Sequence, residues 1–102
     1  SIEAIDNEPL GVDMVAIVAP NPARTYANLS VLNLPDTIAI NSITIYDSVG
    51  RLQGSYRPQD ILTDTETYQA PIFTLQNGIY YIAVEMSGGE PKNVQIQLVI
   101  GN

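Results

Sequence analysis

Leu75-Gln76-Asn77-Gly78-Ile79-Tyr80-Tyr81-Ile82-Ala83-Val84-Glu85 is the stretch on which the reading of this chain turns. Its first part is a turn, in which Gly78 is free to take a positive backbone angle that a side chain would resist. The run after Gly78 alternates, with Tyr80, Ile82, Val84 and Met86 on one face, as in a strand that buries one side. A turn glycine feeding a period-two run is a β signal, and it recurs on both sides of this stretch.

Downstream, Ser87-Gly88-Gly89-Glu90-Pro91 is a second turn. Lys92 to Ile100 then places Val94, Ile96, Leu98 and Ile100 on one face and Gln95 and Gln97 on the other. Upstream, Tyr68 to Leu75 carries Ile72, Phe73 and Leu75. There Pro71 predicts a sheet edge or a strand start, because proline donates no amide to a ladder. Ile38 to Asp47 contains the alternating Ile43-Thr44-Ile45-Tyr46, and Asp47-Ser48-Val49-Gly50 supplies turn residues ahead of Arg51 to Tyr56, so these two segments are expected to pair antiparallel. Tyr26 to Leu34 sets Ala27, Leu29 and Val31 against Asn28 and Ser30. An apolar run from Val12 to Val18 ends at Ala19-Pro20-Asn21-Pro22-Ala23, where two prolines withhold two amide donors.

Arg57 to Thr67 reads as a polar loop around Pro58, and no window holds helical spacing. About seven short strands divided by Gly, Pro, Asn and Asp turns predict an all-β, immunoglobulin-like sandwich of antiparallel strands over residues 12–102. Residues 1–11, with Glu3, Asp6 and Glu8 ahead of the sandwich, read as a linker or leading arm.

The composition bounds the chemistry. A chain of 102 residues is expected to form one core. It has no cysteine, hence no disulfide framework and no thiolate zinc site, and no histidine, the commonest general base and metal ligand. Neither catalysis nor a cofactor or metal is expected. Four basic residues against eleven acidic ones give a net charge of -7, which repels a nucleic-acid backbone and an anionic membrane surface. No apolar run approaches the ~20 residues of a spanning helix, so membrane insertion is not expected. The first residues lack the layout of a signal peptide, so the expectation is that an export leader of a secreted protein stands upstream or that this is a domain of a longer precursor.

Two further features invite a site. Asp60-Ile61-Leu62-Thr63-Asp64-Thr65-Glu66 gathers hard oxygen donors, as calcium prefers, but lacks the spacing and turn glycine of an EF-hand loop; a solvated loop is the expectation. Tyr56 and Tyr68 lie near loop ends, where rings can stack on a sugar, yet aromatics in strands are usually packing residues and the chain has no tryptophan.

Pro20-Asn21-Pro22, Ile43-Thr44-Ile45-Tyr46-Asp47 followed by Gly50-Arg51, and Leu75 through Tyr81 stand in the order found in the C-terminal sorting domains of the type IX secretion system. From about Val15 onward the chain resembles that family. The resemblance implies a cargo domain, of the type A or Por kind, from a Bacteroidetes-type Gram-negative bacterium. Such a domain directs its parent protein through the periplasm and the outer membrane to the cell surface or medium. It further implies protein partners, namely translocon components and a sortase-like peptidase, and attachment of the cargo to lipopolysaccharide. By the same resemblance Leu98, Val99, Ile100, Gly101 and Asn102 are the expected export signal, with Pro20, Asn21, Pro22, Gly50, Arg51, Gly78 and Tyr80 as motif positions of mainly structural role.

The residues alone explain those positions as a strand terminator, two turn glycines, a core ring with a satisfied hydroxyl, and an arginine that pairs with Asp47 or meets a partner. The chain departs from the family pattern at Leu52-Gln53, where a difference in local register is the expectation, and in lacking basic residues near Asn102. If the last strand lies at a sheet edge, its backbone is placed to add to a partner's sheet. The alternative function is an extracellular immunoglobulin-like adhesion or ligand-binding module, which would depend on loop residues such as Tyr56, Asp64 or Tyr68.

Overall fold

The computed structural model describes residues 14–64, 66–89 and 93–101; the leading arm expected over residues 1–11 lies outside them. The strands are β1 (Val15–Ala19), β2 (Tyr26–Leu32), β3 (Ala39–Asp47), β4 (Leu52–Tyr56), β5 (Thr67–Pro71), β6 (Gly78–Ser87) and β7 (Asn93–Ile100). They form two antiparallel sheets, ordered β1-β2-β5 and β4-β3-β6-β7. The immunoglobulin arrangement also groups its third, sixth and seventh strands; here the fourth joins that sheet instead of lying beside the fifth.

The alternation in β6 sets the inner face. Ile82 pairs with Ile45 and Ile96, Val84 with Ile43 and Val94, and Tyr80 with Leu98, so period-two patterns on three strands meet in rows. Ala27, Leu29 and Val31 of β2 and Tyr68 and Ala70 of β5 close the core from the other sheet. Leu29, Ile43, Ile45, Ile82, Val84 and Leu98 are almost wholly removed from water, each worth roughly 1.5–3 kcal/mol of burial.

Two segments depart from the reading of the sequence, and a third shows the register difference expected at Leu52-Gln53. β5 ends at Pro71 instead of continuing to Leu75. Being the outer strand of its sheet, it accepts a proline where the ladder stops. Beyond it Ile72 turns into the core and donates its amide to Thr25 O at 2.9 Å, while Phe73 swings outward against Tyr26.

The polar loop over Arg57–Thr67 contains a single helical turn, α1 (Pro58–Ile61). Proline at its first position costs no internal hydrogen bond, and one turn is too short to show a period. In the β3–β4 hairpin Ile45 pairs with Gly54 but Tyr46 with Leu52, so Gln53 is the extra residue of a bulge. At that hairpin's side of the sandwich the Tyr56 hydroxyl donates to Pro71 O at 3.2 Å, tying the outer strands of the two sheets together.

Candidate functional site

Antiparallel pairing sends the ends of β1, β3, β5 and β7 and the starts of β2, β4 and β6 to one end of the sandwich. Residues 20–25, 48–51 and 72–77 are the connections there, and Gly101 lies beside them. Pro20, Asn21, Pro22, Gly50, Arg51, Gly78 and Tyr80, scattered through the sequence, therefore share one end of the fold with the finish of β7.

The two outermost strands are joined at this end. After Ala19 the chain leaves β1 through Pro20 and Pro22 and crosses to the open side of β7, which is an edge strand. The Asn21 carboxamide accepts from Val99 N at 2.8 Å and donates to Gln97 O at 3.4 Å. Ala23 N donates to Val99 O at 2.7 Å and Ala23 O accepts from Gly101 N at 2.9 Å, a parallel bridge beside Ile100. The edge expected to be unpaired is thus engaged between Gln97 and Gly101. Leu98 and Ile100 point into the core, Val99 is half-buried on the outer face opposite Ile79, and Asn102 lies outside the described residues.

Asp47 organises the neighbouring hairpin. Its carboxylate accepts from the amides of Val49 and Arg51 at 3.1 and 2.8 Å, from the Arg51 guanidinium at 2.9 Å and from the Gln53 amide at 3.2 Å. Gly50, at φ +89°, lets the chain close the turn. The Arg51 amide, followed by the Arg51 guanidinium and the Val49 amide, outweighs partial desolvation and holds the Asp47 carboxyl below the ordinary carboxylate range. The charged form is the one the fold favours. Its contribution is therefore full above an unfolded pKa of ~3.9 and is lost as pH falls through the lower folded value. In a carboxyl-carbon NMR titration the Asp47 midpoint is expected below the ordinary carboxylate value; a midpoint at or above it would contradict the geometry.

On the other flank Tyr80 is buried and its hydroxyl donates to Gln76 O at 2.7 Å, bracing the turn that delivers Gly78 at φ +154° into β6. An open, polar depression of about 440 Å³ separates this turn from the hairpin, lined in part by Ser48, Arg51, Gln53, Gln76 and Asn77.

Surface chemistry also differs along the molecule. Of the eight exposed large apolar side chains among the described residues, five lie at this end: Tyr26, Val49, Leu52, Phe73 and Ile79. Tyr26 and Phe73 meet edge to face with centroids 6.3 Å apart. The acidic residues Asp36, Asp64, Glu66 and Glu85 lie toward the opposite end, while Asp60 lies beside Pro71 and Asp47 sits in the hairpin at the site end, paired with Arg51. Alternation along single strands gave no sign of this grouping, although an apolar Val49 inside a turn was a local clue.

The other candidate features are spent on local structure. Asp60 pairs with Arg57 at 3.0 Å, and Asp64 Oδ1 accepts from the amides of Glu66 and Thr67 at 2.9 and 3.0 Å. No three acidic side chains converge as a metal site among the described residues. Tyr68 is buried and Tyr56 half-buried, and burial raises the pKa of both hydroxyls. Among the described residues no helix is long and apolar enough to cross a membrane.

A family model described as the secretion system C-terminal sorting domain matches residues 17–100 of the chain. No curated protein and no solved structure matches it.

Proposed function

Because the chain belongs to the secretion system C-terminal sorting domain family, whose members are sorting signals for type IX secretion, we propose that it is a non-enzymatic label read as a folded unit by the outer-membrane translocon. The family serves secreted or cell-surface cargo and is not a catalytic one. In this reading the cargo passes through the periplasm, the translocon takes hold of the β7 end of the sandwich, and a sortase-like peptidase then removes the domain. Val99 and Gly101 with Asn102 carry the recognition. Leu98 and Ile100 anchor the same strand from inside. Pro20, Asn21, Pro22, Gly50, Arg51, Gly78 and Tyr80 shape the surface around it.

The observation that supports this most is the convergence of the motif segments on β7. Asn21 reaches across 78 residues of sequence to bond Val99 N. Hydrogen bonds that tie the first strand's exit to the last strand's end gather the motif segments and the terminal residues into one local surface of the folded unit. The exposed apolar side chains at that end supply contact area, and the one carboxylate in its hairpin, Asp47, is paired with Arg51.

The test is a periplasm-directed fluorescent reporter with the intact chain fused behind it, expressed in a bacterium that has the type IX system and in the same strain with the translocon deleted. Reporter at the surface or in the medium of the first strain only is the expected result. Equal distribution in the two strains would refute the proposal.

A further inference from the structure

We propose that residues 21–23 are a displaceable plug on the edge of β7, and that the edge beneath them binds an extended polypeptide segment of the secretion partner by strand addition; this rests on the sorting reading above. The plug shows what chemistry the edge accepts. Val99 N and Gly101 N are met by carbonyl-type oxygens, and Gln97 O and Val99 O by N–H groups, which is the donor and acceptor pattern of a peptide backbone. The bridge at Ala23 is parallel, so a segment that reuses these bonds runs parallel to β7.

The cover is thin. Only Ala23 makes a backbone bridge; Asn21 substitutes a side-chain amide for a backbone unit, and Pro20 and Pro22 carry no N–H at all. Of residues 20–25 only Ala23 is buried, and it contributes a single methyl group to the core. The plug is also incomplete. Backbone groups of alternate residues share an edge, so Asn93 and Gln95 face the same open side as Gln97 and Val99, and among the described residues no strand lies beyond them. Moving residues 21–23 aside yields one continuous edge from Asn93 to Gly101. β7 stays in place meanwhile, held by its pairing with β6 and by Ile96, Leu98 and Ile100 in the core. An edge covered by a short, proline-flanked segment is protected from indiscriminate pairing yet open to a specific strand.

The chain has no cysteine, so one disulfide can lock the plug without competing pairs. A Cβ added at Gly101 stands 3.7 Å from Pro22 Cβ, inside the ~3.5–4.5 Å a disulfide needs. The intact domain and the P22C/G101C pair are each fused to the export reporter, with disulfide formation followed by mass. Export of the intact fusion, and export of the pair that is several-fold lower when oxidised than when the same pair is kept reduced, are the expected results. If the intact fusion is exported and the pair behaves alike with and without reductant, whether exported or retained, the plug proposal is overturned and the sorting reading stands; an intact fusion that fails to export overturns the sorting reading itself.

Amide exchange on the purified chain is a second, independent measurement. Val99 and Gly101 are expected to exchange faster than Leu98 and Ile100, whose amides face β6, and the disulfide is expected to slow them. Equal rates in the unlocked chain would overturn the plug. Protection of Asn93 and Gln95 that rises with protein concentration would assign the edge to a second copy of the chain and overturn the partner.

Discussion

Gly88→Ala is expected to be among the most damaging single-methyl additions in this chain, costing about 2–4 kcal/mol. Gly88 sits at φ +100°, where a side chain is strained, and a Cβ built on it falls onto the Thr37 carbonyl oxygen, inside any van der Waals contact. Both obstacles are backbone, so no rotamer change relieves them. Gly50 is the internal comparison. Its φ is +89°, but nothing lies within 4 Å of an added Cβ, so Gly50→Ala carries only the conformational cost of about 1 kcal/mol. Urea denaturation of the two variants measures the difference. Equal shifts would mean that the turn after β6 does not pack on the segment before β3. The consequence reaches the site, because Gly88 lies where the chain turns from β6 toward β7. Loss of that packing loosens the register that puts Val99 opposite Ile79 and Ile100 opposite Gly78.

Most of the fold was legible because its signals are local. Tyr80, Ile82, Val84 and Met86 declare a buried strand face within seven residues, and all four are buried; of Val94, Ile96, Leu98 and Ile100 the last three are buried and Val94 is half-buried. Asp47 to Arg51 announces its hairpin by turn residues, and the Asp47–Arg51 pair forms at 2.9 Å. The departures have equally local causes. Pro71 is compatible with either end of an outer strand, and Ile72 and Phe73 look alike in composition although one is buried and the other exposed. The single turn α1 is shorter than any helical period.

The site was much less legible. Pro20 and Pro22 announce that β1 stops, but nothing in Asn21 says that its side chain will stand in for a backbone unit on a strand 76 to 78 residues away. Long-range bonds of this kind leave no periodic trace. The resemblance put the motifs in order along the chain, and only the pairing registers bring them to one end of it.

The largest effect on function is expected from removing residues 99–102. That deletion takes away Val99 and Gly101, the two residues whose backbone meets Ala23, and with them the buried Ile100 side chain. It therefore combines loss of the presented terminus with loss of core. Ile100→Ala separates the two, because it leaves every terminal backbone group in place while costing about 2–5 kcal/mol of packing, a penalty of the same kind as the deletion's. A sorting label read at the β7 end should survive the second change far better than the first, provided that both variants are shown by thermal melting to be folded at the temperature of the assay.

The most direct test of the central claim is the fraction of reporter reaching the cell surface or medium, measured side by side for the intact domain, Ile100→Ala and the chain lacking residues 99–102. Export of the first two and periplasmic retention of the folded truncated fusion are expected. Export of the truncated fusion as efficient as that of the intact domain, or losses that follow stability alone across the three, would contradict that claim.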